Sequence, residues 1–142
     1  MHERDRFLRA IKKCLADAKD YFQKTMDILD EIGKASVGTG MTPLVGGYAM
    51  SDDRNKYRSA LIELDSAEKA LRPLAVRFED GRVNETHFTN EQAIKTLRDL
   101  VQFDYDILIR LLAERKGRES VWYRLKELKE KAERLNAMVA SD

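Results

Sequence analysis

The chain is poor in the residues that carry covalent or metal-based chemistry. Its one cysteine, Cys14, excludes an internal disulfide framework and suits a reducing compartment. Its two histidines are His2 and His87, and neither belongs to the Glu-x-x-His motif that di-iron helical proteins use. No serine lies in the sequence context of a nucleophile elbow. We therefore predict no metal site, no cofactor and no catalytic residue.

Long apolar runs and helix breakers are also scarce. No stretch is long and apolar enough to cross a membrane, and the N-terminal segment lacks the apolar core of a signal peptide. We therefore expect a cytoplasmic protein without membrane contact. The chain has two prolines and seven glycines, and five of those glycines fall between residues 33 and 47. The remainder is nearly free of breakers, which favours long helices.

Charge is abundant but balanced. Of the 142 residues, 36% are charged and 43% are hydrophobic, while the net charge is only +1. This composition is too apolar for a disordered chain, and its length predicts a single domain over residues 1–142. The small net charge gives no general reason to expect binding to nucleic acid or to an anionic membrane.

The spacing of apolar residues predicts four helices, at about residues 5–32, 52–79, 90–116 and 120–139. In the first, apolar residues alternate at spacings of three and four from Leu8 to Ile32, which is typical of a coiled-coil seam. Pro73 lies inside the second pattern, and the stripe continues beyond it, so we expect a kinked helix. A short turn at Gly117 predicts antiparallel third and fourth helices. The predicted fold class is all-α, a four-helix bundle with coiled-coil-like packing.

A long Gly-rich apolar connection joins helices one and two. Residues 37–50 read VGTGMTPLVGGYAM, which contains no charge and four glycines. A connection from 33 to 50 is long for a bundle, and it leaves the relative direction of the two helices open. Its Gly-Lys pair lacks the earlier glycine and the strand of a P-loop. The apolar side chains therefore either cap the bundle end or dock onto a partner, and the candidates are Met41, Leu44, Val45 and Tyr48.

Two carboxylates fall on predicted apolar faces. On a helical wheel Asp104 lies within the apolar arc of helix three, and Glu68 lies within that of helix two. A bare buried carboxylate costs several kcal/mol, so each needs a partner or a raised pKa. The alternatives are a polar ligand site in the core and ion pairs at the stripe edges, with Arg4, Arg124 or Lys131 as the cation.

Basic residues concentrate at the start of the chain and in helix four. Residues 2–13 hold five basic and two acidic residues, and residues 110–134 hold nine basic and five acidic ones. Joined into one face, they would suit nucleic-acid phosphates, with aromatic rings available for stacking. The alternative is a solvated face of i,i+4 ion pairs. The candidate nucleic-acid contacts are Arg4, Arg6, Arg9, Lys12, Arg118 and Arg124.

One short motif suggests a catalytic alternative. In GRVNETH, Arg82 and His87 have the R-x4-H spacing, and the six residues 82–87 resemble the motif of HEPN-type ribonucleases. The resemblance implies RNA cleavage by this pair. In that family the pair lies against a helix in a dimer cleft, whereas in this chain it falls in a predicted loop.

The function that we expect first is non-enzymatic: an assembly or protein–protein interaction module, with either a protein partner or a second copy. Trp122 lies off the centre of the helix-four stripe, so we expect it to be an exposed interface anchor. Tyr123 beside it is the second expected contact residue. A nucleic-acid-binding accessory protein is the second hypothesis, and a HEPN-like ribonuclease is the third.

Overall fold

A computed structural model describes the backbone of residues 2–38 and 43–140, and the side chains of residues 3–32 and 53–140. The described elements are α1 His2–Gly38, α2 Pro43–Glu79, a 3-10 turn Glu85–His87, α3 Gln92–Val101, α4 Tyr105–Ala113 and α5 Arg118–Ala137. In these residues the sole strand-like feature is a single antiparallel bridge between Phe88 and Val139. The predicted all-α class is confirmed. No described helix combines the length and the apolar character that spanning a membrane requires.

The seam predicted along α1 is the buried side of that helix. Each of its eight positions is at most 4% exposed: Leu8, Ile11, Leu15, Ala18, Phe22, Thr25, Leu29 and Ile32. The one polar member is satisfied locally, because the Thr25 hydroxyl donates to the Tyr21 carbonyl at 2.7 Å. Three residues that recur every seven positions beside the seam are partly buried against the core: Cys14, Tyr21 and Ile28.

Helix α1 is antiparallel to both of its main neighbours, α2 and α5. Residues 7–14 of α1 share a cavity with residues 73–77 of α2, so the start of one helix lies beside the end of the other. The Asn136 amide donates to the Lys12 carbonyl at 3.0 Å, and the Arg118 guanidinium donates to the Leu29 carbonyl at 3.4 Å. The antiparallel direction of α1 and α2 settles the topology that the sequence left open.

Helix α2 continues through Pro73 and ends at Glu79. The sequence predicted this continuation, and the kink that it also predicted stays a prediction. The predicted Gly-rich connection is not tested by the described structure. Helical backbone extends to Gly38 and resumes at Pro43, whereas residues 39–42 and the side chains of residues 33–52 lie outside the described part.

The prediction of one continuous helix over residues 90–116 is wrong. The chain leaves the helix after Val101 and re-enters it at Tyr105, with Asp104 as the N-cap of α4. The Asp104 carboxylate accepts the Asp106 N–H at 3.2 Å. The Tyr105 hydroxyl donates to the Leu100 carbonyl at 2.7 Å. An unbroken helix would offer that carbonyl to the Asp104 N–H, so the tyrosine satisfies the acceptor that the break exposes.

Two short segments fix the ends of the helices. Between α4 and α5 the backbone turns through left-handed φ values of 55° at Arg115 and 62° at Gly117. At the other end, the Thr89 N–H donates to the Met138 carbonyl and the Ala140 N–H to the His87 carbonyl, both at 2.8 Å. The segment after α5 therefore holds the 3-10 turn in place.

Candidate functional site

The two carboxylates that were expected in the core are not buried bare charges. Asp104 is exposed, because the break before α4 turns it away from the arc that a continuous helix would give it. Glu68 has a side chain that is 28% exposed and pairs with Arg72 at 2.6 Å along the same helix. The expected cations pair elsewhere: Arg124 lies 3.5 Å from Glu127, and Lys131 lies 3.9 Å from Asp99. The ion-pair alternative therefore describes Glu68, with Arg72 as its cation.

Both carboxylates nevertheless line one cleft between α2 and α4, which we call the acidic cleft. Its volume is about 230 Å³, and Glu68, Asp104, Asp106, Arg72 and Tyr105 are among its lining residues. Burial raises the pKa of the Tyr105 hydroxyl, and the negative charge of Glu68 raises it further. Within the described residues no cluster of His, Cys, Asp and Glu side chains has the geometry to hold a metal ion.

A second cleft lies further towards the start of α2 and has the opposite charge. This basic cleft, of about 440 Å³, is lined by Arg54 and Arg58 of α2 and by Arg115 of the α4–α5 turn. The sequence did not reveal this cleft, because Arg115 is far from Arg54 and Arg58 along the chain and lies near them only in the folded protein. The i,i+4 spacing of Arg54 and Arg58 was the visible signal, since that spacing places both on one side of a helix.

The two aromatic residues predicted as partner contacts differ in exposure, and their role as contacts stays a prediction. Tyr123 is 61% exposed, as expected of a contact residue. Trp122 is instead partly buried against the core, with its indole Nε1 enclosed and without a hydrogen-bond partner. It lies on the side of α5 that carries Arg118, and this side faces α1, which explains the burial. The two rings meet edge to face with centroids 5.2 Å apart. The other proposed contacts, Met41, Leu44, Val45 and Tyr48, have side chains outside the described residues.

The two groups of basic residues do not form one face. Because α5 is antiparallel to α1, Lys12 lies beside Asn136, whereas Arg118 lies beside Leu29. The seventeen positions from Lys12 to Leu29 span roughly 25 Å of helix. The N-terminal group is therefore at one end of the molecule and the start of α5 at the other.

The individual basic residues have different local environments. At the N-terminal end the Arg4 guanidinium donates to the Thr86 carbonyl at 2.9 Å, and Arg6, Arg9 and Lys12 are exposed. At the other end Arg124 pairs with a glutamate of its own helix. Nucleic-acid binding by these residues stays a prediction. The continuous basic face on which that prediction was based is divided between the two ends of the molecule.

Arg82 and His87 hold a turn together. The Arg82 guanidinium pairs with Asp80 through contacts of 2.6 and 2.7 Å, which lowers the pKa of the carboxyl and raises that of the guanidinium. The His87 Nδ1 accepts the Asn84 N–H at 3.2 Å in a capping box. Its ring packs edge-on against Phe7 with centroids 5.0 Å apart. The pair lies in a capped turn between α2 and α3, outside the α-helices as the sequence predicted, and RNA cleavage by this pair stays a prediction.

Comparison of the chain with protein-family models, with curated proteins and with solved structures finds no match in any of the three. The function is therefore inferred from the chain's own residues.

Proposed function

We propose that the protein is a non-enzymatic, cytoplasmic assembly module that associates with a second copy of itself through α5. Its architecture in this proposal is a single four-helix bundle domain with coiled-coil-like packing, in which α3 and α4 together take the place of one helix. The observation that carries the proposal is the exposure of Tyr123, whose side chain is 61% accessible beside a ring anchored in the core.

The aromatic pair has the properties of an interface anchor. Tyrosine and tryptophan are the residue types that most often dominate binding energy at protein interfaces. Trp122 packs against the core and its ring meets that of Tyr123, so the exposed ring has a rigid support. A side chain that is already held in place loses little conformational entropy on binding, which favours association.

A second apolar side chain is exposed on the neighbouring helix. Ile107 of α4 is 51% exposed. It lies seven positions before the four-residue turn 114–117, and Tyr123 lies six positions after it. In two helices joined by a short turn, these positions are at the same height along the pair. Ile107 and Tyr123 each expose apolar area at this height, and we propose that both contribute to the contact.

A second copy is the partner that this surface suits best. The net charge of +1 puts little Coulomb repulsion between two copies. A two-fold contact needs only one self-complementary patch on each molecule. The non-enzymatic part of the proposal is supported by the local roles of Arg82 and His87, which close a turn with Asp80 and Asn84.

The experiment uses the fluorescence of the protein's single tryptophan, Trp122. Acrylamide quenching is measured over a dilution series of the full chain. Association covers the Tyr123 side of the indole, so quenching should become stronger on dilution. In Tyr123→Ser, acrylamide should quench the Trp122 fluorescence strongly at every protein concentration. The control Ile62→Ser alters a 60% exposed side chain on α2, and its quenching should depend on concentration as in the wild type. Concentration-independent quenching in the wild type would contradict the proposal.

A further inference from the structure

The basic cleft concentrates three guanidinium groups in one concave surface. Arg54 and Arg58 project from successive turns of α2, and Arg115 faces them from the α4–α5 turn. The position of Arg115 is fixed by its backbone, because its N–H donates to the Leu112 carbonyl at 3.0 Å and the next N–H donates to the Leu111 carbonyl at 2.9 Å. The arginines therefore converge on the cleft from two separate segments.

Among the described residues, no side chain pairs with any of these three positive charges. In the described structure, none of the guanidinium groups of Arg54, Arg58 and Arg115 makes a hydrogen bond or an ion pair, and no acidic residue lines the cleft. Other arginines differ, since Arg72 and Arg82 each contact a carboxylate at 2.6 Å. Like charges in a concave site raise the local positive potential, which an anion would relieve.

We propose that the basic cleft binds the phosphate group of a compact ligand that carries at least two negative charges. Guanidinium groups match phosphate oxygens through paired N–H donors, and three of them can surround one such group or two linked ones. The other described lining residues are apolar or aromatic and include Tyr57, Leu61 and Leu112. This wall accommodates an apolar or ring-shaped part of the same ligand.

The charge further along the same helices limits the size of the ligand. The acidic cleft also lies between α2 and α4, with Glu68, Asp104 and Asp106 in its lining. From Arg58 to Glu68 there are ten positions of α2, which correspond to roughly 15 Å. A long polyanion laid along these helices would meet carboxylates after this distance, so the chemistry favours a small phosphate ligand over a nucleic-acid strand.

This inference does not depend on the proposed function. The basic cleft is formed by α2, the end of α4 and the α4–α5 turn, whereas Tyr123 lies on α5. A mutation that abolishes phosphate binding can therefore be distinguished from one that abolishes self-association. Phosphate binding and concentration-dependent quenching are measured independently.

The test is an NMR titration of the full-length chain with inorganic pyrophosphate at low ionic strength, observing the arginine Nε–Hε signals. We expect saturable shifts at Arg54, Arg58 and Arg115. Arg58→Gln should weaken binding by about tenfold or more, because it removes one charge-assisted contact. Arg58→Lys should recover part of the loss, since it restores the charge without the planar pair of donors. The matched control is Arg98→Gln, which alters an exposed arginine of α3 outside the cleft and should leave binding unchanged.

Two further ligands distinguish the source of the phosphate. A nucleoside diphosphate that binds more tightly than pyrophosphate and shifts the Tyr57 ring signals would identify a nucleotide as the ligand, whereas equal affinities would identify a free oligophosphate. An oligonucleotide without a terminal phosphate that binds the cleft more tightly than pyrophosphate would overturn the small-ligand proposal in favour of nucleic acid. Absence of saturable shifts, or equal loss of affinity in Arg58→Gln and Arg98→Gln, would also overturn it.

Discussion

Replacing Tyr105 by phenylalanine tests the structure of the α3–α4 junction. The ring of Tyr105 is 6% exposed and stacks on Phe22 with centroids 6.2 Å apart, so the phenylalanine ring keeps this packing. What is lost is the 2.7 Å hydrogen bond to the Leu100 carbonyl. Leaving a buried acceptor unpaired costs about 1–3 kcal/mol. We therefore expect Tyr105→Phe to lower the free energy of unfolding by roughly 2 kcal/mol at neutral pH.

The same substitution should change the response to alkali. Burial and the nearby Glu68 raise the pKa of the Tyr105 hydroxyl, whereas in the unfolded chain it titrates at about 10. Above that pH the unfolded state binds fewer protons than the folded state, so the wild type loses stability as pH rises. The loss is about 1.4 kcal/mol for each pH unit, and below pH of about 10 it is absent. Tyr105→Phe cannot ionise at this position, so its deficit should shrink as the pH rises above about 10.

Urea unfolding followed by circular dichroism measures both effects, with Tyr123→Phe as the matched control. Tyr123 is 61% exposed, so removal of its hydroxyl should change stability by less than about 0.5 kcal/mol. Equal stabilities of the two variants at neutral pH, or parallel loss of stability in the wild type and Tyr105→Phe above pH of about 10, would refute the account of the junction.

Three further predictions concern α2, the N-cap of α4 and the thiol of α1. Pro73→Ala should raise the free energy of unfolding by about 1–3 kcal/mol in urea unfolding, because alanine supplies the N–H that Pro73 lacks within a continuous helix; a less stable variant would contradict this. Asp104→Ala should lower the free energy of unfolding by about 1 kcal/mol, because it removes the N-cap hydrogen bond. Asp104→Asn should retain most of that stability, and equal losses in the two variants would argue against the N-cap bond. Since burial raises the pKa of the Cys14 thiol, its alkylation by iodoacetamide at a fixed mildly alkaline pH should be slower in the folded than in the urea-unfolded protein, and equal rates would argue against its burial.

The periodic part of the fold was predictable because it depends on local spacing. Apolar residues at alternating spacings of three and four lie on one side of a helix, and along α1 this side is buried in the core. This burial does not depend on which helices are the neighbours. The continuation of α2 through Pro73 followed from the same reasoning, since the apolar residues beyond it keep their period.

The break between α3 and α4 was not predicted because nothing in the apolar period marks it. Phe103 and Tyr105 keep the apolar pattern continuous, and there is no glycine or proline between the helices. The available signal was Asp104 itself, since aspartate is a strong N-cap and Asp106 adds a second carboxylate to the first turn of α4. An acidic residue inside an apolar arc was interpreted as a buried charge when it was a helix start.

The charged surfaces depended on helix direction, which the sequence left open. With α5 antiparallel to α1, Arg118 lies beside Leu29 and far from the N-terminal arginines, so the predicted basic face is divided. The basic cleft was missed for a related reason: Arg115 lies in the turn after α4, where its backbone is left-handed, and it meets α2 only in the folded chain. Conformation and topology, which composition does not encode, decide which charges meet.

The most direct test of self-association through α5 is the solution mass of the full chain, measured by light scattering on a sizing column over a range of concentrations. We expect twice the chain mass of 16.4 kDa for the wild type, and a single chain mass for Tyr123→Ser. A wild type of 16.4 kDa at every concentration, or a dimer that Tyr123→Ser leaves intact, would contradict it.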